Sequence, residues 1–196
     1  RNLLAGPAHD ERIEVAKALR VDIERHEPGT LGHVGRKGGV VGRRKGGRAM
    51  SAARAPLSAV VTTLDNAATL DECLRSLAFC DEIVLLDSGS KDETVAIAQR
   101  HGARVFVEPF KGYGPQKASA MAQTTHAWCL LLDADEALTD ESRAAIEAAL
   151  VAPAVAGFTL PRREQLFWRW QALHARHNPM LRLFDKRRTR FSTNAI

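Results

Sequence analysis

The sequence has no long apolar run, and its few cysteines lack the spacing of a metal site or a disulfide framework. No stretch approaches the roughly 18 apolar residues of a membrane-spanning helix, and the amino end lacks the charged-then-apolar pattern of a signal peptide. Cys73, Cys80 and Cys129 stand in apolar surroundings without a Cys-x-x-Cys pair. This pattern predicts buried, reduced thiols in a cytosolic protein and argues against a zinc site.

The net charge of +5 is not spread evenly along the chain. Residues 1–49 contain 11 Lys and Arg against 6 Asp and Glu, whereas residues 50–196 contain 17 of each kind. Gly, Arg and Lys dominate between Pro28 and Gly47, and such a composition buries too little apolar surface to order itself. We therefore predict a basic, Gly-rich, disordered segment over residues 1–49 and one globular domain over residues 50–196.

Three other interpretations of the first 49 residues stay open. A basic arm could grip nucleic acid or anionic lipid, although the segment lacks the interleaved aromatic residues on which single-strand binders stack bases. Met50 stands shortly before a strong strand pattern, so the segment can also be upstream sequence that is not part of the working protein. Within the segment, the short apolar stripe of residues 1–27 is compatible with a polar helix.

Strand and helix patterns alternate from Leu57 onward. The strand patterns cover residues 57–63, 82–86, 104–107, 128–132 and 157–161. Helical patterns lie between the first three strands, with capping boxes predicted at Thr69 with Glu72 and at Ser90 with Glu93, and another helix is predicted over residues 139–150. This alternation, joined by short polar turns, predicts an α/β fold with a mostly parallel sheet and right-handed crossovers.

Carboxylates follow three of the predicted strands at the point where each strand ends. Asp65 and Asp87 follow the first two strands, and the pair Asp133 and Asp135 follows the strand at 128–132. Carboxyl ends of parallel strands meet at one edge of a sheet, and close carboxylates repel unless a cation or hydrogen bonds offset their charge. The sequence thus predicts a nucleotide site with a metal-bridged diphosphate, where a helix after Ser90 would offer free N–H groups to an anion. Ordinary turn chemistry is the alternative.

Four motifs in this order resemble those of family-2 glycosyltransferases. They are Val60-Val61-Thr62-Thr63, the run from Asp81 to Thr94, Gly112-Tyr113-Gly114-Pro115-Gln116-Lys117 and Leu132-Asp133-Ala134-Asp135-Glu136. The resemblance covers roughly residues 57–191. Within the family, these motifs resemble most specifically the branch that adds a glucosyl residue to the inner core of bacterial lipopolysaccharide, a β-1,4-glucosyltransferase type. It implies a GT-A-type fold, which is a three-layer α/β/α sandwich.

The resemblance also implies roles for individual residues. Asp87 would hydrogen-bond the base of a nucleotide sugar, and Asp135 would hold the Mg²⁺ or Mn²⁺ that bridges the two phosphates. The implied donor-binding residues are Thr63, Asp65, Asn66, Asp87, Ser88, Lys117 and Asp133, and the implied metal ligands are Asp135 and Asp133. The family usually has Lys-Asn-Glu where this chain has Leu64-Asp65-Asn66, so the contacts of that loop are expected to differ.

A mixture of aromatic and basic residues near the carboxyl end suits a phosphorylated sugar acceptor, with core packing of the tryptophans as the alternative. The residues predicted for the acceptor side are Arg162, Trp168, Trp170 and Arg182. The implied activity is metal-dependent inverting transfer of a hexose, with glucose as the expected sugar, to a lipopolysaccharide-core or similar glycolipid acceptor at the cytoplasmic face of the inner membrane. A nucleotidyltransferase is the rival enzyme class, although residues 63–69 lack the Gly-rich basic loop it usually carries.

An inverting transfer of this type needs a carboxylate that deprotonates the acceptor hydroxyl. In the resembled family this acidic motif lies downstream of the segment that matches Arg182 to Phe191, and the sequence ends at Ile196. We therefore expect the base to lie beyond Ile196 in a longer protein and name no catalytic residue. Asp185 is the alternative, although the basic residues that follow it favour an ion-pair role.

Overall fold

Alternating strands and helices make up most of the chain that the computed structural model describes, which is residues 53–166, 169–170 and 180–189 together with 23–25. The strands are β1 (Ile23–Arg25), β2 (Leu57–Thr63), β3 (Glu82–Asp87), β4 (Arg104–Val107), β5 (Trp128–Asp133), β6 (Glu136–Leu138), β7 (Gly157–Leu160), β8 (Arg162–Leu166), β9 (Arg169–Trp170) and β10 (Met180–Asp185). The helices are α1 (Ala67–Ser76), α2 (Thr94–Arg100), α3 (Tyr113–Ala122) and α4 (Asp140–Ala149). Within these ranges, none of the helices combines the length and the apolar character that crossing a membrane demands.

Six strands form the main sheet in the order β4-β3-β2-β5-β10-β7. Strands β2, β3, β4 and β5 run parallel, whereas β10 runs antiparallel to both β5 and β7. The chain moves outward from β2 to β3 and β4 on one side and then places β5 on the other side. The carboxyl ends of β2 and β5 therefore border a topological switch point, where open α/β sheets bind their ligands. The predicted mostly parallel sheet is confirmed.

Helices cover both faces of the main sheet, which makes it the middle of three layers. On one face, α1 and α4 bury side chains such as Leu74 and Ile146 against strand residues that include Leu130. On the other face, α3 packs Ala120 against residues that include Leu131. Successive residues of β5 thus point into different cores, which is why its sequence is continuously apolar rather than alternating. The predicted three-layer α/β/α sandwich is confirmed.

A smaller sheet has the order β6-β1-β8-β9 and includes residues from the amino-terminal segment. Strand β1 pairs antiparallel with β6 and parallel with β8. The helix expected over residues 1–27 is therefore wrong at Ile23–Arg25. Backbone pairing with β6 and β8 stabilises a strand there, whereas the short apolar stripe offers too little packing to stabilise a helix. The rest of residues 1–49 lies outside the described residues, and the disorder predicted for it stays a prediction.

We expect a chain that begins at Met50 to keep the main sheet. Every strand of that sheet and all the described helices lie after residue 53, and the described apolar core begins at Ala55. The truncation removes one described element, the three-residue strand β1. Thermal unfolding followed by circular dichroism should therefore show a melting temperature lowered by about 5 °C or less.

A Met50 chain that fails to fold would show that the amino-terminal segment is structural. The same pair of proteins tests the nucleic-acid alternative for residues 1–49. Salt-dependent binding of single-stranded DNA by the full chain, absent from the Met50 chain, would support a basic arm.

The cysteines are free thiols placed in or near the core. Cys73 and Cys129 are buried, and Cys80 is partly buried. Burial raises the pKa of all three thiols, to about 12 for Cys80. The burial predicted from their apolar surroundings is therefore confirmed for Cys73 and Cys129, and all three side chains are neutral at physiological pH.

Candidate active site

Two adjoining cavities open at the carboxyl ends of β2, β3 and β5. The first, of about 340 Å³, is lined by Thr62, Thr63, Leu64, Asn66, Ser88, Phe110, Tyr113 and Gln116. The second, of about 220 Å³, is lined by Thr62, Asn66, Tyr113, Lys117, Asp133, Ala134 and Asp135. We call them the aromatic cavity and the acidic cavity. Because they share three lining residues, they form one elongated site with an aromatic half and a charged half.

Five of the seven residues predicted for donor binding line these cavities. Thr63 and Ser88 line the aromatic cavity, Lys117 and Asp133 line the acidic cavity, and Asn66 lines both. Asp135, the other predicted metal ligand, lies beside Asp133 in the acidic cavity. The structure therefore brings these side chains together at one sheet edge, and their binding roles remain predictions.

Asp87 lines neither of the two cavities and instead shapes the loop after β3. Its buried carboxylate accepts hydrogen bonds from the backbone N–H groups of Gly89 and Ser90, at 2.9 and 2.8 Å, and from the Ser90 hydroxyl. Two of the N–H groups after Ser90 are also used within the protein, since that of Lys91 donates to Asp65 and that of Thr94 donates to Asp92. Anion binding by the N–H groups that follow Ser90 stays a prediction. The predicted capping box at Ser90 is wrong, since α2 begins at Thr94 and Ser90 is used in the loop.

Asp65 joins the loop after β2 to the loop after β3. Its φ of +52° lies in the left-handed region, which aspartate tolerates better than most residues. Its N–H donates to the Ser90 hydroxyl at 2.8 Å, and its carboxylate accepts from the Lys91 N–H at 2.7 Å. The Asn66 N–H likewise donates to the Thr94 hydroxyl at 2.8 Å. These bonds cross-link the two loops that border the aromatic cavity.

Helix α1 holds the turn between β5 and β6 in place. The Thr69 hydroxyl donates to the Ala134 carbonyl at 3.0 Å, and the Cys73 sulfur lies 3.7 Å from the Asp133 carbonyl oxygen. The predicted capping box at Thr69 is therefore wrong, because α1 already begins at Ala67 and the hydroxyl serves the acidic turn. Helix α1, which follows β2, thus helps to position Asp133 and Asp135, which lie at the end of β5.

The Asp133 carboxylate lies between two cations. Its Oδ1 atom is 2.7 Å from Lys117 Nζ, and its Oδ2 atom is 3.1 Å from Arg182 Nη2. Burial alone would raise the pKa of this carboxyl, but the Arg182 guanidinium and the Lys117 ammonium outweigh burial and hold the pKa below its ordinary value. Asp133 is therefore ionised at neutral pH.

Arg182 lies in a place that the sequence pattern did not indicate. It was predicted for the acceptor side, but it is buried, and its Nη2 atom is 2.6 Å from Oε1 of the buried Glu136. The pairing of β10 with β7 shifts register between Leu181 and Leu183, so Arg182 is the extra residue of a β-bulge. Such bulges re-aim a side chain. A charged residue inside an otherwise apolar strand is the sequence signal that could have indicated a buried ion pair.

The structure does not test the other three acceptor-side predictions. Trp168 lies outside them, and Arg162 and Trp170 lie in β8 and β9 with side chains outside what the structure describes. An acceptor contact for these three residues therefore stays a prediction.

Asp185 lies near the amino end of β5, whereas the two cavities lie at the carboxyl end of that strand. It pairs with Trp128 at the start of β5, whereas Asp133 ends that strand, which separates the two positions by roughly 16 Å. Its carboxylate accepts hydrogen bonds from Arg187, at 2.9 Å from Nε and 2.7 Å from Nη2, and these hold the pKa of Asp185 below its ordinary value. The alternative in which Asp185 is the catalytic base is therefore wrong, and its ion-pair role is observed.

Two exposed aromatic residues at the mouth of the aromatic cavity were missed from the sequence. Phe110 is 55% exposed and Tyr113 is 80% exposed, and their ring centroids lie 5.3 Å apart in an edge-to-face arrangement. Tyr113 begins α3 directly after Gly112, whose φ of +98° is a conformation that glycine adopts readily. No periodicity marks these rings, but two aromatics around a glycine before a helix could have suggested a binding loop.

The acidic cavity fits a divalent cation that binds together with a phosphate ligand. Among the described residues, no group of three or more His, Cys, Asp or Glu side chains could hold a metal ion. Mg²⁺ typically binds through one or two carboxylates together with substrate phosphates and water. Asp133 and Asp135 offer two carboxylates, and both oxygens of Asp133 already contact cations. These two carboxylates match the donor set that Mg²⁺ takes together with a diphosphate, and the role of Asp135 as the main protein ligand stays a prediction.

Sequence comparison identifies the family. The sequence model for glycosyl transferase family 2 matches residues 58–196, and the chain belongs to this family. The lipopolysaccharide core biosynthesis glycosyltransferase LpsC of Rhizobium meliloti (strain 1021) is 35% identical over 143 residues, which cover 69% of this chain and 53% of LpsC. These matches confirm the resemblance to the family and to its lipopolysaccharide-core branch.

Other relatives match shorter parts of the chain. An uncharacterized glycosyltransferase of Rickettsia felis is 40% identical over 92 residues, which cover 46% of this chain and 32% of that protein. This chain thus spans about half the length of LpsC and about a third of the Rickettsia protein. A solved structure of glucosyl-3-phosphoglycerate synthase from Mycobacterium tuberculosis with Mn²⁺, UDP and glucosyl-3-phosphoglycerate is 28% identical, covering 41% of this chain and 33% of that one, with a TM-score of 0.38. That score is too low for a residue-by-residue comparison of the sites.

Proposed function

We propose that this chain binds a nucleotide-diphosphate sugar as its donor. It would act as a glycosyltransferase that moves the hexose of this donor to a saccharide or glycolipid. The observation that carries the proposal is the elongated site, in which an aromatic cavity joins a cavity with one lysine and two carboxylates. Membership of glycosyl transferase family 2 supports the transfer reaction over the nucleotidyltransferase alternative. The name of LpsC, a lipopolysaccharide core biosynthesis glycosyltransferase, supports a lipopolysaccharide-core acceptor as part of this proposal. Glucose as the sugar and a location at the cytoplasmic face of a membrane are further proposals that rest on the resemblance alone.

The nucleoside of the donor fits the aromatic cavity. Gln116 forms part of its wall and is 2% exposed, which holds its amide group in one orientation. The Gln116 Nε2 atom donates to the Ser88 hydroxyl at 3.2 Å, and the Oε1 atom accepts from the Lys111 N–H at 3.1 Å. A cavity lined both by this fixed polar group and by exposed aromatic rings suits a flat base that stacks on a ring and forms hydrogen bonds on its edge.

The diphosphate of the donor fits the acidic cavity, where Lys117 is the available cation. Its side chain is 16% exposed and contacts Asp133, and Asp133 retains Arg182 as a partner when Lys117 turns toward a phosphate. Asp135, with Asp133 beside it, would hold Mg²⁺ or Mn²⁺. When bound, such a metal supplies Lewis-acid stabilisation of the charge on the departing nucleoside diphosphate.

A thermal-shift screen tests this function. The full chain is melted with UDP, GDP and ADP, with the glucose conjugate of each and with UTP, GTP and ATP, in MnCl₂ and in EDTA. A ligand at 100 times its Kd stabilises the folded state by about 2.7 kcal/mol, which raises the melting temperature of a chain this size by about 5–11 °C. No Mn²⁺-dependent shift with any diphosphate would contradict the proposal, and a larger shift with nucleoside triphosphates would favour a nucleotidyltransferase.

Replacing Lys117 tests the diphosphate contact. Lys117→Met should weaken the binding of UDP, GDP or ADP in MnCl₂ by about 10- to 100-fold, because it removes a charge-assisted hydrogen bond. The control Arg75→Met removes an exposed cation that pairs with Asp71 on α1, and it should leave the affinity unchanged. Calorimetry that finds equal affinity in Lys117→Met and the parent chain would place the diphosphate elsewhere.

A further inference from the structure

A buried ion pair lies directly behind the acidic cavity. Arg182 Nη2 is 2.6 Å from Glu136 Oε1, and the two side chains are 1% and 0% exposed. Taking two charges out of water is costly, and well-packed apolar residues of similar volume often stabilise a fold as much or more. The neighbouring strand residues Leu130, Leu131 and Leu183 are apolar and buried. The fold by itself therefore does not require these charges.

Both members of the pair contact Asp133. Arg182 Nη2 is 3.1 Å from the Asp133 carboxylate, and the Asp133 N–H donates to Glu136 Oε2 at 3.1 Å. The side chain of Asp133 is thus held by the arginine, and its backbone is held by the glutamate. The β-bulge that turns Arg182 inward breaks the regular pairing of β10 with β7 to make this contact. Arg182 Nε is buried without a hydrogen-bond partner among the described residues, whereas Arg182 Nη2 contacts the carboxylates of both Asp133 and Glu136.

We propose that Arg182 and Glu136 are positioning residues that keep Asp133 fixed and charge-paired while Lys117 transfers to the diphosphate. This inference rests on the proposed function. Among the described residues, Lys117 and Arg182 are the cations paired with Asp133. Without Arg182, a diphosphate that captured Lys117 would take from the partly buried Asp133 carboxylate its remaining protein cation, and that penalty would oppose donor binding. Because Arg182 stays paired with Asp133, Lys117 can pair with Asp133 in the free protein and with the diphosphate in the complex.

A pair of variants separates this role from a purely structural one. Arg182→Met alone removes the guanidinium that pairs with the buried Glu136 and should lower the melting temperature by about 6–20 °C. Arg182→Met combined with Glu136→Leu removes both charges and should return the melting temperature to within about 5 °C of the parent. We expect this double variant to bind UDP, GDP or ADP in MnCl₂ about 10- to 100-fold more weakly than the parent, although it is folded.

Lys117→Met added to the double variant tests the link to Lys117. If Arg182 acts by releasing Lys117, the triple variant should bind about as weakly as the double variant, because the two effects share one cause. Fully additive losses would overturn the proposed transfer of Lys117.

The decisive contrary result is a double variant that melts like the parent and binds the diphosphates with parental affinity, since the ion pair would then be structural. If the double variant does not fold, Arg182→Lys replaces it and keeps the charge with a single donor group. That variant should lose about 3- to 10-fold in affinity, and parental affinity would overturn the proposal. A parent chain that binds none of the diphosphates would instead overturn the proposed function, and this inference with it.

Discussion

Replacing Asp135 with alanine should abolish the Mn²⁺-dependent part of nucleoside diphosphate binding and leave the fold intact. Asp135 lies in the acidic cavity at the turn between β5 and β6. Its removal takes away one of two carboxylates available to a hard cation, and it also relieves repulsion with Asp133. The turn itself is held through its backbone, by the Thr69 hydroxyl on the Ala134 carbonyl. We therefore expect the variant to keep the parent fold, which circular dichroism checks.

Calorimetry with UDP, GDP and ADP measures this effect. For the diphosphate that binds best, the parent chain should lose about 100-fold or more in affinity when EDTA replaces MnCl₂, whereas Asp135→Ala should bind equally weakly in both. Asp140→Ala is the matched control, because it removes an exposed carboxylate in the first turn of α4. Equal Mn²⁺-dependent affinity in Asp135→Ala and the parent would show that Asp135 is not a metal ligand.

Removing both rings at the mouth of the aromatic cavity should weaken donor binding strongly without affecting stability. Stacking of one base on an aromatic side chain contributes about 1–3 kcal/mol, so Phe110→Ala with Tyr113→Ala should lower the affinity for the diphosphate about 5- to 150-fold. Because the two residues are 55% and 80% exposed, the change removes little buried surface. The melting temperature without ligand should therefore change by about 3 °C or less.

Inorganic pyrophosphate distinguishes base contacts from phosphate contacts in this experiment. It lacks a base, so its Mn²⁺-dependent affinity should be the same for the double-ring variant and the parent. Val151→Ala, which trims an exposed apolar residue after α4, serves as the control for loss of surface apolar area. An unchanged affinity for the nucleoside diphosphate would place the base outside the aromatic cavity, and an equal loss for pyrophosphate would mean that the rings act on the acidic cavity.

The sequence by itself determined the strands β2, β3, β4, β5 and β7 and the meeting of polar residues at one sheet edge, but it did not indicate β1, β6, β8, β9 or β10. The continuous apolar run of β5 follows from burial on both faces of the sheet, and the crossover helices α1 and α2 make β2, β3 and β4 parallel. Parallel strands place their carboxyl ends together whatever the packing details. For that reason Asp65, Asp87, Asp133 and Asp135, which follow these strands, could be predicted to meet at one sheet edge. Lys117 lies on α3, and its place in the site was implied by the family resemblance.

Only the tertiary structure decided which of these side chains face the cavities. Asp87 follows a strand as Asp133 does, but its carboxylate is taken up by the N–H groups of its own loop. Asp185 also ends a strand, yet β10 runs antiparallel to β5 and carries it to the far edge. Arg182 is aimed by a bulge in pairing with β7, which lies more than twenty residues earlier in the chain. Strand direction, register and hydrogen-bond competition depend on partners distant in sequence, and local periodicity contains no record of them.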